Sequence, residues 1–123
     1  MIECPKEWAR LELPWRRIEL IDFLRELTDG TIVKGQNYDL DAVYHFFFDD
    51  TDLGDDPCSE IDFCLLDEAE VEIIKPIISL LESILNEVGD NNFGILNHTD
   101  WAKVPGLAGK TREMLLLKGM PSY

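Results

Sequence analysis

The sequence is poor in the residues that build metal sites, disulfides and nucleophilic catalytic pairs. It has three cysteines and two histidines among 123 residues. An odd number of cysteines indicates free thiols, and the five residues between Cys58 and Cys64 match no zinc knuckle or ribbon. A Cys–His nucleophile would need nearby positive charge to form its thiolate, and the sequence around these thiols has none. We therefore expect no cofactor and no metal ligands, and an enzyme is the less favoured interpretation.

Long apolar runs and targeting patterns are also missing. No stretch approaches the ~18 uncharged apolar residues of a membrane-spanning helix, and the first seven residues lack the basic-then-apolar order of a signal peptide. The chain has no phosphate-cradling glycine loop, no His–Glu metalloprotease pair and no Gly-x-Ser-x-Gly elbow. Since 46% of the residues are hydrophobic, a folded core is expected. These features predict one domain over residues 1–123, in the cytoplasm.

Positive charge is absent from the middle of the chain. No Lys or Arg occurs between Lys34 and Lys75, whereas Asp and Glu occur 13 times there, in a protein of net charge −14. Nucleic acids and anionic membranes bind basic surfaces, so neither is expected as a partner. This acidic block is either a solvated face that keeps the protein soluble or a surface for a cationic partner.

Apolar residues at helical spacing predict a mostly α, single-domain bundle of four to five helices. The first helix is expected from Pro14 to Leu27, because proline suits an early helical position and Asp29-Gly30 supplies a stop. Residues 31–34 are rich in β-branched side chains and favour a short strand.

The aromatic segment 43–48 fits two structures. Asp39 can cap a helix whose apolar face carries Leu40, Val43 and Phe47. The run Phe46-Phe47-Phe48 equally suits a buried strand. We favour the helix. The three tryptophans are expected in the core, since tryptophan is highly buried on average; they are Trp8, Trp15 and Trp101.

The strongest helical pattern begins at Asp67, which together with Glu70 resembles a capping box. Gly89 closes the pattern, and Pro76 inside it either kinks one helix or divides it into two. A last helix is expected to start at Thr99, although Pro105 and the glycines beside it interrupt its pattern.

The segment from Asp49 to Asp56 is a turn-rich acidic loop. Counted from Asp49, Gly54 and Glu60 occupy the sixth and twelfth positions of an EF-hand calcium loop. The fifth position needs an oxygen ligand, however, and it is occupied by Leu53. An EF-hand is therefore disfavoured, while a weaker divalent-ion site stays open.

Three segments carry a resemblance to a group of small acidic bacterial proteins that have no assigned activity. They are Tyr38 to Leu53, Asp67 to Val71, and Trp101 with Val104. The most distinctive part of the first is the stretch His45-Phe46-Phe47-Phe48-Asp49-Asp50-Thr51-Asp52-Leu53. The resemblance covers the chain from about Leu20 onward and implies a bacterial cytoplasmic domain, without a mechanism. In composition alone, the chain is also similar to the immunity proteins of bacterial toxin systems, which mask basic toxin domains.

We therefore expect an acidic interaction protein of the immunity type that masks a basic partner protein. The expected partner-binding residues are the acidic ones of the loop and its flank together with two tyrosines: Asp49, Asp50, Asp52, Asp55, Asp56, Glu60, Asp62, Tyr38 and Tyr44. The alternatives are a metal-dependent or carboxylate-based enzyme that uses the Asp49–Asp56 loop, and an accessory domain whose acidity serves solubility alone.

Overall fold

The computed structural model describes residues 8–29, 42–89, 94–95 and 97–118, and these ranges form a mostly α structure. It agrees with the expected bundle of four to five helices. The three long helices are α1 (Pro14–Asp29), α2 (Glu68–Val88) and α3 (Val104–Leu116). Shorter helical segments are π-helical at Phe46–Asp50 and 3-10 helical at Pro57–Glu60 and Thr99–Lys103. The predicted strand at residues 31–34 lies outside the described residues.

Helix α1 begins at Pro14 as predicted and continues to Asp29. Proline fits the first position because the amide hydrogen that it lacks would have no partner inside the helix. The buried side chains follow the predicted apolar stripe, with Arg17 among them: Arg17, Ile18, Leu20, Ile21, Leu24 and Leu27. An arginine in the middle of this stripe needs buried partners of its own.

Helix α2 confirms the predicted caps at Asp67 and Gly89, whereas the Glu70 side chain accepts from the Leu66 amide instead of completing a capping box. The Asp67 side chain accepts a hydrogen bond from the Glu70 amide at 3.1 Å, and Gly89 ends the helix with a φ of 70°. Residues 68–88 form one helix that contains Pro76, so the alternative of two separate helices is wrong. Pro76 is exposed, so its ring lies on the solvent side of the helix. No helix in the described ranges is both long and apolar enough to cross a bilayer.

The aromatic segment is helical, as favoured, but its pitch changes. Residues 42–45 are α-helical and continue into the π-helical turn Phe46–Asp50. A π turn holds more residues than an α turn and occurs frequently at functional sites. Phe46 and Phe47 are both buried, and the Phe46 ring lies 4.9 Å from the Phe23 ring of α1. This packing anchors the start of the acidic loop to the core.

The expected last helix is divided at the position of its proline. A 3-10 helix, Thr99–Lys103, precedes α3, and His98 rather than Thr99 caps it by accepting from the Asp100 amide. Pro105 lies in the first turn of α3, where its missing donor costs little. A Cβ built on Gly109 would lie 3.1 Å from the Thr28 Cγ2 atom, so glycine there lets α1 and α3 approach closely.

The core consists of two clusters of buried side chains. The larger one combines α1, α2 and α3 with the aromatic segment and with Leu53, Cys64 and Leu65. The smaller one lies at the start of α1 and is formed by Trp8, Leu11, Ile18, Ile21 and Leu66. Buried residues of the larger cluster therefore lie before the acidic loop (Phe46 and Phe47), within it (Leu53) and after it (Cys64 and Leu65).

Candidate interaction surface at the acidic loop

The acidic loop alternates between exposed carboxylates and buried anchors. Thr51 and Leu53 are buried, whereas the aspartates around them are exposed: Asp49, Asp50, Asp52, Asp55 and Asp56. The alternation turns these carboxylates to solvent because the two residues between them face the core.

Hydrogen bonds tie this part of the chain to the aromatic segment. The Thr51 hydroxyl donates to the Phe46 carbonyl at 2.8 Å and accepts from the Leu53 amide at 3.2 Å. The Gly54 amide donates to the Phe47 carbonyl at 2.8 Å. A Cβ on Gly54 would lie 2.4 Å from a Phe48 ring carbon and 2.7 Å from the Phe47 carbonyl oxygen. Only glycine fits this close approach.

Glu60 supports the loop from inside the protein. The residue is only 2% exposed, and its carboxylate accepts from the Asp52 amide at 2.9 Å. Both carboxylate oxygens lie 3.1 Å from Nη1 of Arg16 on α1. The Cys64 thiol donates to Glu60 at 3.4 Å, and burial together with this carboxylate raises the pKa of the thiol. Glu60, expected as an exposed contact, therefore holds the loop instead.

A second carboxylate of the acidic block is also neutralised inside the protein. Glu70 and Arg17 are both fully buried and form a bidentate ion pair. Arg16 and Arg17, which are consecutive on α1, thus each form an ion pair with a buried glutamate. The count of charged residues does not show that some of the acidic residues are buried and paired. The sequence does carry a signal of such a pair, because Arg17 falls on the apolar stripe of the first helix.

Four loop carboxylates have no cationic partner in the described part of the chain. Among the described residues, no Lys or Arg pairs with Asp50, Asp52, Asp55 or Asp56. The two flanking carboxylates have partners, since Asp49 lies 2.5 Å from Nδ1 of His45 and Asp62 lies 3.5 Å from Arg10. The negative charge of the loop is therefore concentrated on these four side chains.

The two predicted tyrosine anchors do not form an exposed pair. Tyr38 lies outside the described residues. Tyr44 is half-buried; its hydroxyl donates to the Leu81 carbonyl at 3.0 Å, and its ring stacks on that of Phe48 at 5.9 Å. Burial raises the pKa of the Tyr44 hydroxyl. Tyr44 thus joins the aromatic segment to α2.

The loop geometry gives little support to a metal-dependent site. The described residues include no group of three or more His, Cys, Asp or Glu side chains placed to hold a metal ion. At the third and fifth EF-hand positions, the Thr51 hydroxyl is engaged inside the protein and Leu53 is fully buried. An open cavity of about 430 Å³ is lined by no loop residue; its lining is Arg10, Leu66, Asp67, Leu117 and Lys118.

Comparison with known proteins adds no relative from which a role could be carried over. No family model, no curated protein and no solved structure matches this chain. The function is therefore inferred from the geometry of the loop itself.

Proposed function

We propose that this protein is a binding module whose acidic loop recognises a basic surface of a partner protein, as an immunity-type inhibitor would. One observation carries the proposal: Asp50, Asp52, Asp55 and Asp56 are exposed on a loop that buried contacts hold in place, and no Lys or Arg among the described residues pairs with them. The partner would supply positive charge to these carboxylates.

The rigidity of the loop favours binding over a purely solubilising role. Charge that only keeps a protein soluble needs no fixed geometry. Here Glu60 is buried beside Arg16 and fixes the Asp52 amide, and Thr51 ties the loop to the aromatic segment. A loop that is already ordered loses less conformational entropy when it binds, so more of its interaction energy is available as affinity.

The electrostatics also favour a cationic partner. Like charges on neighbouring side chains repel each other, and an opposite charge that docks among them relieves this repulsion. A concentrated negative patch also attracts positive surfaces over a distance and so raises the rate of association. Both effects require carboxylates without partners of their own.

Selection from a random peptide library, with the native protein as bait, tests the proposal. The loop variant carries Asp50→Asn, Asp52→Asn, Asp55→Asn and Asp56→Asn. The matched control loses the same number of charges at exposed positions elsewhere: Asp29→Asn, Glu68→Gln, Glu82→Gln and Glu113→Gln. We expect enrichment of peptides rich in Lys and Arg that bind the loop variant at least ~10-fold more weakly and the control within ~2-fold. Equal loss in both variants, or enrichment of peptides without basic residues, would overturn the proposal.

A further inference from the structure

Two exposed aromatic side chains lie where the chain before α1 meets the turn that follows Glu60. Trp15 is 53% exposed and Phe63 is 39% exposed, which makes them two of the four large apolar side chains exposed among the described residues. Two parallel backbone contacts join their segments: the Glu12 amide donates to the Asp62 carbonyl and the Leu13 amide to the Phe63 carbonyl, both at 2.9 Å. We call Leu13, Trp15 and Phe63 the aromatic patch.

The aromatic patch and the acidic loop share one support. The Arg16 guanidinium lies 5.8 Å from the centre of the Trp15 ring and donates to Glu60. The Phe63 amide donates to the Glu60 carbonyl at 3.1 Å, and the Glu60 carboxylate holds the Asp52 amide. One buried residue thus fixes both features, so they belong to neighbouring parts of the same surface.

The backbone is strained next to Phe63. Asp62 has a φ of 73°, and it is the only residue other than glycine with positive φ in the described ranges. Its amide donates to the Leu65 carbonyl at 2.8 Å, which closes a tight turn. Cys64 and Leu65 after the turn are fully buried, whereas Phe63 stays at the surface. A left-handed conformation costs about 1–2 kcal/mol for a residue with a side chain, and here it accompanies an exposed aromatic ring.

We propose that the aromatic patch is the apolar anchor of the same interface, and that it binds a partner segment in which Lys or Arg stands beside a large apolar side chain. This inference rests on the proposed function. Charge complementarity identifies the occupant. The exposed Glu12 lies beside the patch, and beyond Glu60 lie the four loop aspartates that have no Lys or Arg partner among the described residues, whereas Asp62 is already paired with Arg10. Tryptophan and phenylalanine rings offer apolar area to such a segment and attract cations to their faces.

The acidic loop and the aromatic patch are expected to contribute differently to binding. Exposed charges mainly set the rate of association, whereas desolvated aromatic anchors dominate the affinity of most interfaces. The acidic loop would therefore attract the partner segment, and Trp15 with Phe63 would retain it.

The test uses the basic peptides selected with the native protein and an aromatic variant, Trp15→Ser with Phe63→Ser. Met114→Ser is the control: Met114 is 38% exposed, and it lies on the opposite flank of α3 from Leu116, which packs on the Trp8 cluster. We expect the aromatic variant to lose at least ~10-fold in affinity, mainly through faster dissociation, and the control to stay within ~2-fold. Bound peptide should also protect the exposed Trp15 from acrylamide quenching. Circular dichroism checks that each variant is folded.

The two variants separate failure of this inference from failure of the proposed function. If the loop variant loses binding while the aromatic variant keeps it, the anchor is overturned and the acidic binding module stands. If both variants keep native affinity, both proposals are overturned. If only the aromatic variant loses binding, charge recognition by the loop is overturned, and with it the inference that rests on it.

Discussion

Arg17 and Glu70 face each other in the interior, where two hydrogen bonds of 2.7 Å join the guanidinium to both carboxylate oxygens. The guanidinium also donates to the carbonyls of Cys64 and Leu115, and it lies 5.0 Å from the centre of the Trp8 ring. This one ion pair therefore connects α1, α2, the end of α3 and the chain that leads from the acidic loop.

Removing one member of this pair should destabilise the protein strongly. Arg17→Met leaves the Glu70 carboxylate buried without its cation, and we expect a loss of about 3–5 kcal/mol in the free energy of unfolding. The double variant Arg17→Met with Glu70→Leu removes both charges and should recover most of that loss. Urea unfolding measures both. If Arg17→Met lowers the free energy of unfolding by less than about 1 kcal/mol, then this variant does not leave an uncompensated charge in the interior, and the prediction is wrong.

Glu60→Ala should loosen the acidic loop. The change removes the acceptor for the Asp52 amide and leaves Arg16 without its partner, so we expect a loss of about 1–3 kcal/mol in stability. Hydrogen exchange at the Asp52 amide should become faster. Glu72→Ala is the control, because Glu72 pairs with Lys75 at an exposed position and its removal should leave the free energy of unfolding nearly unchanged. Unchanged exchange at Asp52 would show that Glu60 does not hold the loop.

Two glycine substitutions should have opposite effects. Gly54→Ala places a Cβ against Phe48 and the Phe47 carbonyl, which costs about 1–3 kcal/mol as the chain shifts to relieve the overlap. Gly106→Ala adds a Cβ that meets nothing within 4 Å in helix α3, and we expect a gain of up to about 1 kcal/mol. Thermal unfolding compares the two variants. Equal effects would contradict the close approach at Gly54.

Stability should fall in alkaline solution. Burial raises the pKa of the Cys64 thiol and of the Tyr44 hydroxyl above their ordinary values of 9.0 and 10.0. The unfolded chain loses these protons at the ordinary values while the folded chain keeps them. The stability that these two protonated groups contribute is therefore complete below pH 9.0, and it is lost as the pH rises toward their raised pKa values in the folded protein. Each group adds a slope of up to about 1.4 kcal/mol per pH unit. In urea unfolding above pH 9.0, Cys64→Ala should reduce the slope and Tyr44→Phe should reduce it above pH 10.0; unchanged slopes would contradict burial of these groups.

Local signals predicted most of the helices. Asp67 and Gly89 act within one turn of the helix ends that they cap, so the sequence alone was enough to place α2. The π-helical turn was not predictable, because three consecutive phenylalanines have no period that distinguishes an α turn from a wider one. The resemblance to small acidic bacterial proteins and the cytoplasmic location stay predictions.

Contacts between distant parts of the chain determine the candidate site, and these the sequence did not reveal. Arg16 meets Glu60 across 44 positions and Arg17 meets Glu70 across 53, so two of the acidic residues are internal supports. The prediction that all three tryptophans lie in the core, which was based on the average burial of tryptophan, is wrong for one of them. Trp8 and Trp101 lie in the core as expected, but Trp15 is exposed at the start of α1.

The salt dependence of association tests the proposed acidic binding module most directly. Stopped-flow measurements give the association rate of the strongest selected basic peptide with the native protein, the loop variant and the charge-matched control. Ionic strength is raised from about 10 mM to about 1 M, which shortens the Debye length from about 30 Å to 3 Å. We expect the rate to fall at least ~10-fold for the native protein and the control, and less than ~3-fold for the loop variant. An equal fall in all three proteins, or no fall for the native protein, would contradict recognition by Asp50, Asp52, Asp55 and Asp56.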